Sequence, residues 1–305
     1  MESKQFIDIF FKKFFNEELK QKIELATLYV ATLGFFIHLG AVFLNMTEVI
    51  QVHPQLAPFL ANPISAIYTP FSFILFYEVY LLIYYLPRSF SVSIAKQYEI
   101  VSLIVIRRIF KDISNIDIKD VNILSTQNLE LAYDITGFLI LFFLIFLFRY
   151  LLVKRKNHTI TPNIEGFIVY KKLLCILLVP VFIFLSIYSF STWIIELNQL
   201  SLGNISVITD FNKIFYNEFF IALIIVDVLI LIASFRYTDR YSLIIRNTGF
   251  VITTVLIRIA FSTSGLANIV LLVTGVGFGV IVLYLYSLYD KIDKGESTKE
   301  SYSYL

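Results

Sequence analysis

The chain has 305 residues, of which 58 % are hydrophobic and 16 % charged, with a net charge of +2 and a mean hydropathy of +0.77. So much apolar surface exceeds what a water-soluble domain buries, and lipid must be the solvent for most of it. The near balance of charge argues against nucleic acid as a partner, and the single cysteine, Cys175, cannot form an intramolecular disulfide and suits small core packing.

Residues 3–22 place Phe6, Phe10 and Phe14 at helical spacing, with Ile7, Phe11 and Phe15 one step round. Lys4, Lys12, Lys13, Lys20 and Lys22 fall mostly on the other side. This predicts an amphipathic helix within residues 1–23, lying on the membrane surface or packed on a helical bundle. The segment lacks a basic region followed by an apolar core and a small-residue cleavage site, so no removable signal peptide is expected.

Eight apolar stretches follow, at 24–45, 66–87, 95–112, 132–153, 173–195, 217–235, 246–263 and 266–288. Each is near the ~20 residues that a ~30 Å hydrocarbon layer requires. The third and seventh carry the most charge. Lys and Arg concentrate in the amino-terminal segment, at Arg88 and Lys96, from Arg149 through Lys154, Arg155 and Lys156 to Lys171 and Lys172, at Arg236, Arg240 and Arg246, and at Lys291, Lys294 and Lys299. The connection 47–65 has neither residue and 196–216 has only Lys213, while Lys119 in 113–131 is balanced by Asp117 and Asp120. The basic set marks the cytoplasmic side. The expectation is a multi-pass protein of the cell membrane, inner or plasma, with both termini in the cytoplasm.

The hydrophilic stretch 154–172 divides the chain into halves of four spans. An even number returns each half to its starting side, so the repeat is parallel rather than inverted. The fold class read from the sequence is an all-α integral membrane protein of two parallel-repeat four-helix bundles. Its parts are an interfacial helix at 1–23, bundles at 24–153 and 173–290, a cytoplasmic linker at 154–172 and a polar tail at 291–305.

Two spans carry acids that the next span answers with arginine. Glu78 lies nine residues before Pro87 and Arg107 eleven after Lys96, so both sit roughly 14 to 17 Å from the shared turn. In the second half, Asp227 lies nine residues before Arg236 and Arg258 twelve after Arg246. An isolated charge at such depth costs about 2.5 to 3.5 kcal/mol, so pairing of Glu78 with Arg107 and of Asp227 with Arg258 is expected. Arg108 is left with no acid assigned to it. Two readings stand: the pairs fix helix packing, or they border an ion or proton pathway.

Other polar candidates are weaker. His38 in the first span is a proton acceptor or a hydrogen-bonded packing residue, and Arg88, Lys96, Arg236 and Arg246 mark the turns. Thr253, Thr254 and Ser262 can bond neighbouring helices, and Gly275, Gly277 and Gly279 permit close approach without giving a four-residue GxxxG step. Tyr68, Tyr84, Tyr85, Trp193, Tyr237, Tyr284 and Tyr286 fall near span ends and suit interfacial belts. There is no phosphate-cradling glycine loop, no metal-spaced His or Cys set, and no catalytic triad in a common loop; His38, His53 and His158 are scattered. No enzyme, cofactor or metal is expected.

The run Phe76, Tyr77, Glu78, the basic turn, the sequence from Ile106 to Phe110, the aspartates Asp112, Asp117 and Asp120, and Arg149 with Lys154, Arg155 and Lys156 resemble the small four-span PsiE-like family of phosphate-starvation-inducible bacterial membrane proteins. Asp227, Arg236 and the run from Ile257 to Phe261 repeat the resemblance, except that the outer connection shrinks to Ser262, Thr263, Ser264 and Gly265. The resemblance covers nearly all of the chain after residue 23 and implies a tandem pair of four-helix membrane units. It implies no defined activity.

The sequence therefore supports two functions. One is a non-enzymatic ion, proton or small-anion pathway lined by Glu78, Arg107, Arg108, Asp227 and Arg258. The other is a structural or partner-binding membrane component, of a stress response or as the membrane effector of a defence system. Its partners, besides the bilayer, would be a cytoplasmic protein or further copies of the chain. Voltage sensing does not fit, because Arg107 and Arg108 are adjacent and Arg246 and Arg258 are twelve apart.

Overall fold

A computed structural model describes residues 2–49, 60, 62–114, 126–154, 165–201, 211–237, 240–263 and 265–303. Among these residues the structure is helical throughout, with no strand. The helices are α1 (Glu2–Phe14), α2 (Glu17–Met46), α3 (Tyr68–Tyr85), α4 (Phe90–Ser114), α5 (Thr126–Lys154), α6 (Glu165–Ser201), α7 (Phe211–Tyr237), α8 (Tyr241–Phe261) and α9 (Gly265–Ser303), with a short 3-10 turn at Pro63–Ile67 before α3.

Local chemistry sets several boundaries. Asn16 caps α2 by accepting a hydrogen bond from the Leu19 N–H at 2.5 Å, and Glu17 and Glu18 place acid at the positive end of the helix. Pro87 follows α3 and has no N–H with which to continue it. Between α8 and α9 the chain reverses at Gly265, whose φ of +60° strains any side-chain-bearing residue.

Among the described residues, seven stretches are long and apolar enough to cross a membrane: Gln5–Met46, Pro63–Tyr85, Asn128–Lys154, Glu165–Glu196, Glu218–Tyr237, Tyr241–Phe261 and Gly265–Ile292. The third expected span, now α4, is a helix but does not belong to this set. Lys96, Glu99, Arg107 and Arg108 lower its hydropathy. Its packing explains why they are tolerated. Helices α3, α4, α5, α9, α8, α7 and α6 follow one another by contact and close where α6 meets α3, while α4 also touches α8 across the middle. The polar residues of α4, including Ser91, Ser93, Gln97 and Ser102, are buried against protein rather than lipid. Helix α2 lies outside this ring against α3.

Helices α5 and α9, the last of each half, run side by side in the same direction: Gly137 faces Ile269 and, further along, Leu144 faces Gly277. Gly279 leaves the space taken by the Tyr98 hydroxyl, which also lies beside Thr253. Gly249 leaves room for Val282, 2.8 Å from where a Cβ would stand. Phe250 joins the halves through Phe90 and Phe148, with ring centroids at 6.4 and 5.7 Å.

Large apolar side chains cover the outside: Tyr29, Leu33, Phe36 and Phe43 on α2, Phe142, Phe143 and Phe146 on α5, and Ile183, Phe184 and Ile187 on α6. A continuous coat of this kind is the surface of a protein dissolved in lipid.

Two helices run beyond the expected spans. Helix α6 starts at Glu165 rather than 173, taking in part of the expected linker, because Phe167 and Tyr170 pack on the core and both lysines find acceptors. Lys171 donates to the Arg88 carbonyl oxygen, and Lys172 pairs with Asp8 at 2.6 Å. Helix α9 continues to Ser303, through most of the expected polar tail. Helix α1 packs on the bundle through Phe11, Phe14 and Phe15, with Phe15 stacked on Tyr80 at 6.2 Å, whereas Phe6 and Ile9 face outward, each 69 % exposed.

Candidate functional site

The charges expected within the spans fall into three clusters that differ in what they touch. The first is the α3–α4 hairpin. Phe71 stacks on Phe110 at 5.1 Å, which aligns the two helices. Glu78, buried on α3, feels the positive charge of Arg107 on α4. Counting residues along the two spans places these opposite charges at similar depth.

The second cluster corrects an expectation. Arg108, to which the sequence assigns no acid, makes a two-point ion pair with Asp134 on α5: Nε donates to Oδ2, and Nη2 donates to Oδ1 at 2.8 Å. Its Nη1 donates to Asn268 Oδ1 on α9 at 2.8 Å. Asn268 in turn donates to the Ala260 carbonyl oxygen at 2.5 Å and to that of Thr263 at 3.4 Å, tying off the end of α8. One guanidinium thus joins two helices of the first half to two of the second. Bidentate geometry of this kind is the strong form of the arginine–carboxylate contact.

The third cluster also corrects an expectation. Asp227, buried on α7, does not meet Arg258; it accepts a hydrogen bond from Gln97 Nε2 of α4 at 3.3 Å. Because α4 also reaches across the ring, its Gln97 meets α7 from the other half. Arg258 feels the negative charge of Glu218, which is nine residues from Asp227 and therefore about 13 Å away along α7. Asp227 thus carries a neutral amide as its bonded partner, a carboxyl that can take up or release a proton without breaking an ion pair.

The remaining candidates sit in packing contacts. His38 Nδ1 lies 2.5 Å from Thr69 Oγ1 and links α2 to α3. Lys96 pairs with Glu99 at 2.8 Å and lies over the Tyr85 ring at 5.0 Å, and Arg149 also pairs with Glu99. Arg246 donates to Asn247 Oδ1 at 2.8 Å and stacks over Tyr286 at 4.6 Å, while Asn247 donates to Ser234 at 3.4 Å. Arg236 is exposed in the last turn of α7, and Arg88 is exposed at the α3–α4 turn. Asp117, Asp120, Arg155, Lys156, Ser264, His53 and His158 lie outside the described residues. Among the described residues, no group of His, Cys, Asp and Glu has the arrangement of a metal site.

Asp134, Asn268 and Gln97 were missed by sequence reasoning. Asp134 was within reach: it sits in an apolar run eight residues after Thr126, and Arg108 sits six before Ser114. Counting from the outer connection, as from the inner turn, brings them to similar depth. Asn268 and Gln97 offer no such signal.

No protein-family model, curated protein or solved structure matches the chain. The fold and its apolar surface define a helical, multi-pass membrane protein.

Proposed function

We propose that this protein is a non-enzymatic component of the cell membrane in which Asp227 and Glu78 serve a proton or small-ion pathway through a tandem pair of PsiE-like four-helix units. The observation that carries it is the Asp227–Gln97 contact. An acid in the interior of a membrane bundle is costly and marks ion or proton routes by default. Here it is bonded to an amide from the other half, where an arginine would hold it as a fixed ion pair. The parallel course of α5 and α9 supports equivalent halves, and the lysine and arginine distribution supports cytoplasmic termini.

The test is proton flux into liposomes containing the purified protein, under imposed pH and voltage gradients. Asp227→Asn should reduce flux at least tenfold while the protein keeps its unfolding midpoint, and Glu78→Gln should reduce it less. Equal leak in protein-containing and empty vesicles would sink the proposal.

A second reading, a structural or partner-binding component, is favoured by the Arg108 cluster, whose ion pair and amide contact join helices of the two halves. It requires a stoichiometric partner in detergent pull-downs and no flux.

A further inference from the structure

The face of the bundle that carries α1 holds a cleft of about 220 Å³, walled by Phe11 of α1, Phe15 just after it, Tyr84 at the end of α3, Pro87 and Arg88 in the turn that follows, and Lys172 of α6. We propose that this cleft binds the headgroup phosphate of an anionic phospholipid, independently of any ion pathway.

Charge and position argue for it together. Arg88 lies beside the Tyr84 hydroxyl and near Glu17 but forms no ion pair among the described residues, and the rest of its guanidinium fork suits phosphate oxygens. Its backbone is fixed in place, because Lys171 holds the Arg88 carbonyl oxygen. Lys172 supplies the second positive charge and shares it with Asp8 at 2.6 Å. The other nearby acid, Glu17, is occupied by the Tyr84 hydroxyl at 2.7 Å and by Lys20 at 3.2 Å. The cleft lies where α3 ends at Pro87, at headgroup depth for a span that finishes there. Helix α1, which contributes Phe11 to the cleft, also carries the exposed Phe6 and Ile9, apolar surface suited to the boundary between headgroups and acyl chains. Phe11, Phe15 and Tyr84 then offer rings to the glycerol carbons beside the phosphate.

The experiment uses the full chain in detergent, exposed to phosphatidylglycerol or to phosphatidylcholine, with retained lipid counted by native mass spectrometry. Phosphatidylglycerol should be retained in preference. Arg88→Gln should lower its retention about fivefold, as expected for one basic residue near a charged membrane surface, and Lys172→Gln similarly. Lys291→Gln, an exposed basic residue on α9 outside the cleft, should change nothing. Arg88 is exposed, so its variant should fold, which a thermal melt checks. Sodium phosphate competing the lipid away would show that the phosphate group itself is recognised; failure to compete would assign recognition to the whole headgroup. Equal retention of the two lipids, or of phosphatidylglycerol by the parent and Arg88→Gln proteins, would overturn the proposal.

Discussion

Arg108 and Asp227 are both charged residues inside the bundle, and both bridge the two halves, yet their surroundings are opposite. Arg108 meets a carboxylate and an amide oxygen with three of its donors, and Asn268 passes the connection on to the end of α8. Asp227 meets one amide N–H at 3.3 Å. A saturated ion pair resists change of protonation, since losing either charge strands the other. A carboxyl on a neutral donor has no such restraint. The contrast separates a site built to hold from a site able to titrate, within one ring of helices.

The largest effect should come from breaking the saturated cluster. Asp134→Ala leaves the Arg108 charge in the bundle without its acid and should cost about 3 kcal/mol, read as a lower unfolding midpoint in detergent. The double variant Arg108→Met with Asp134→Leu should recover most of that loss; if it is as unstable as Asp134→Ala, the damage comes from packing and the contrast fails.

Gly279→Ala comes next. A Cβ there collides with the buried Tyr98 hydroxyl and lies 3.2 Å from Thr253 Oγ1, so a loss of roughly 1–3 kcal/mol is expected. Tyr98→Phe in the same chain should restore part of it.

Gln97→Leu tests the other side of the comparison. It removes the sole donor to a buried carboxyl among the described residues and should cost roughly 1–3 kcal/mol, whereas Asp227→Asn, which keeps an oxygen acceptor, should cost less than about 1 kcal/mol. Equal losses would mean that Asp227 is held as an anion and that the contrast with Arg108 is false.

The smallest effect should be that of Lys96→Gln. Its partner Glu99 keeps Arg149, and a partly exposed pair is worth at most about 1 kcal/mol. A larger shift would place this turn among the stabilising clusters.

The helices were legible because apolar runs of membrane length announce themselves, and the common depth of Glu78 and Arg107 was countable because both residues hang from one short turn. Arg108 was misread because depth was reckoned only from the inner turn, although Asp134 was countable from the outer side. The Asp227–Gln97 contact joins residues 130 positions apart. It depends on which face of α4 turns inward, and the charges of α4 mask that face in the sequence. The start of α6 was hidden for a related reason: Lys171 and Lys172 read as linker until the Arg88 carbonyl and Asp8 are in place to receive them.

The seam between α5 and α9 has a consequence for how the protein is made. A chain enters the membrane from its amino end, so the first half is inserted while α9 has yet to be synthesised. Arg108 and Asp134 both lie in that half and can neutralise each other at once, leaving no bare charge in lipid during the wait. Gly137 has no Ile269 to receive, and Arg108 no Asn268, until the last helix arrives. The order of synthesis therefore assigns the ion pair to insertion and the amide to closure, and a truncated chain ending before α9 should insert but remain open along α5.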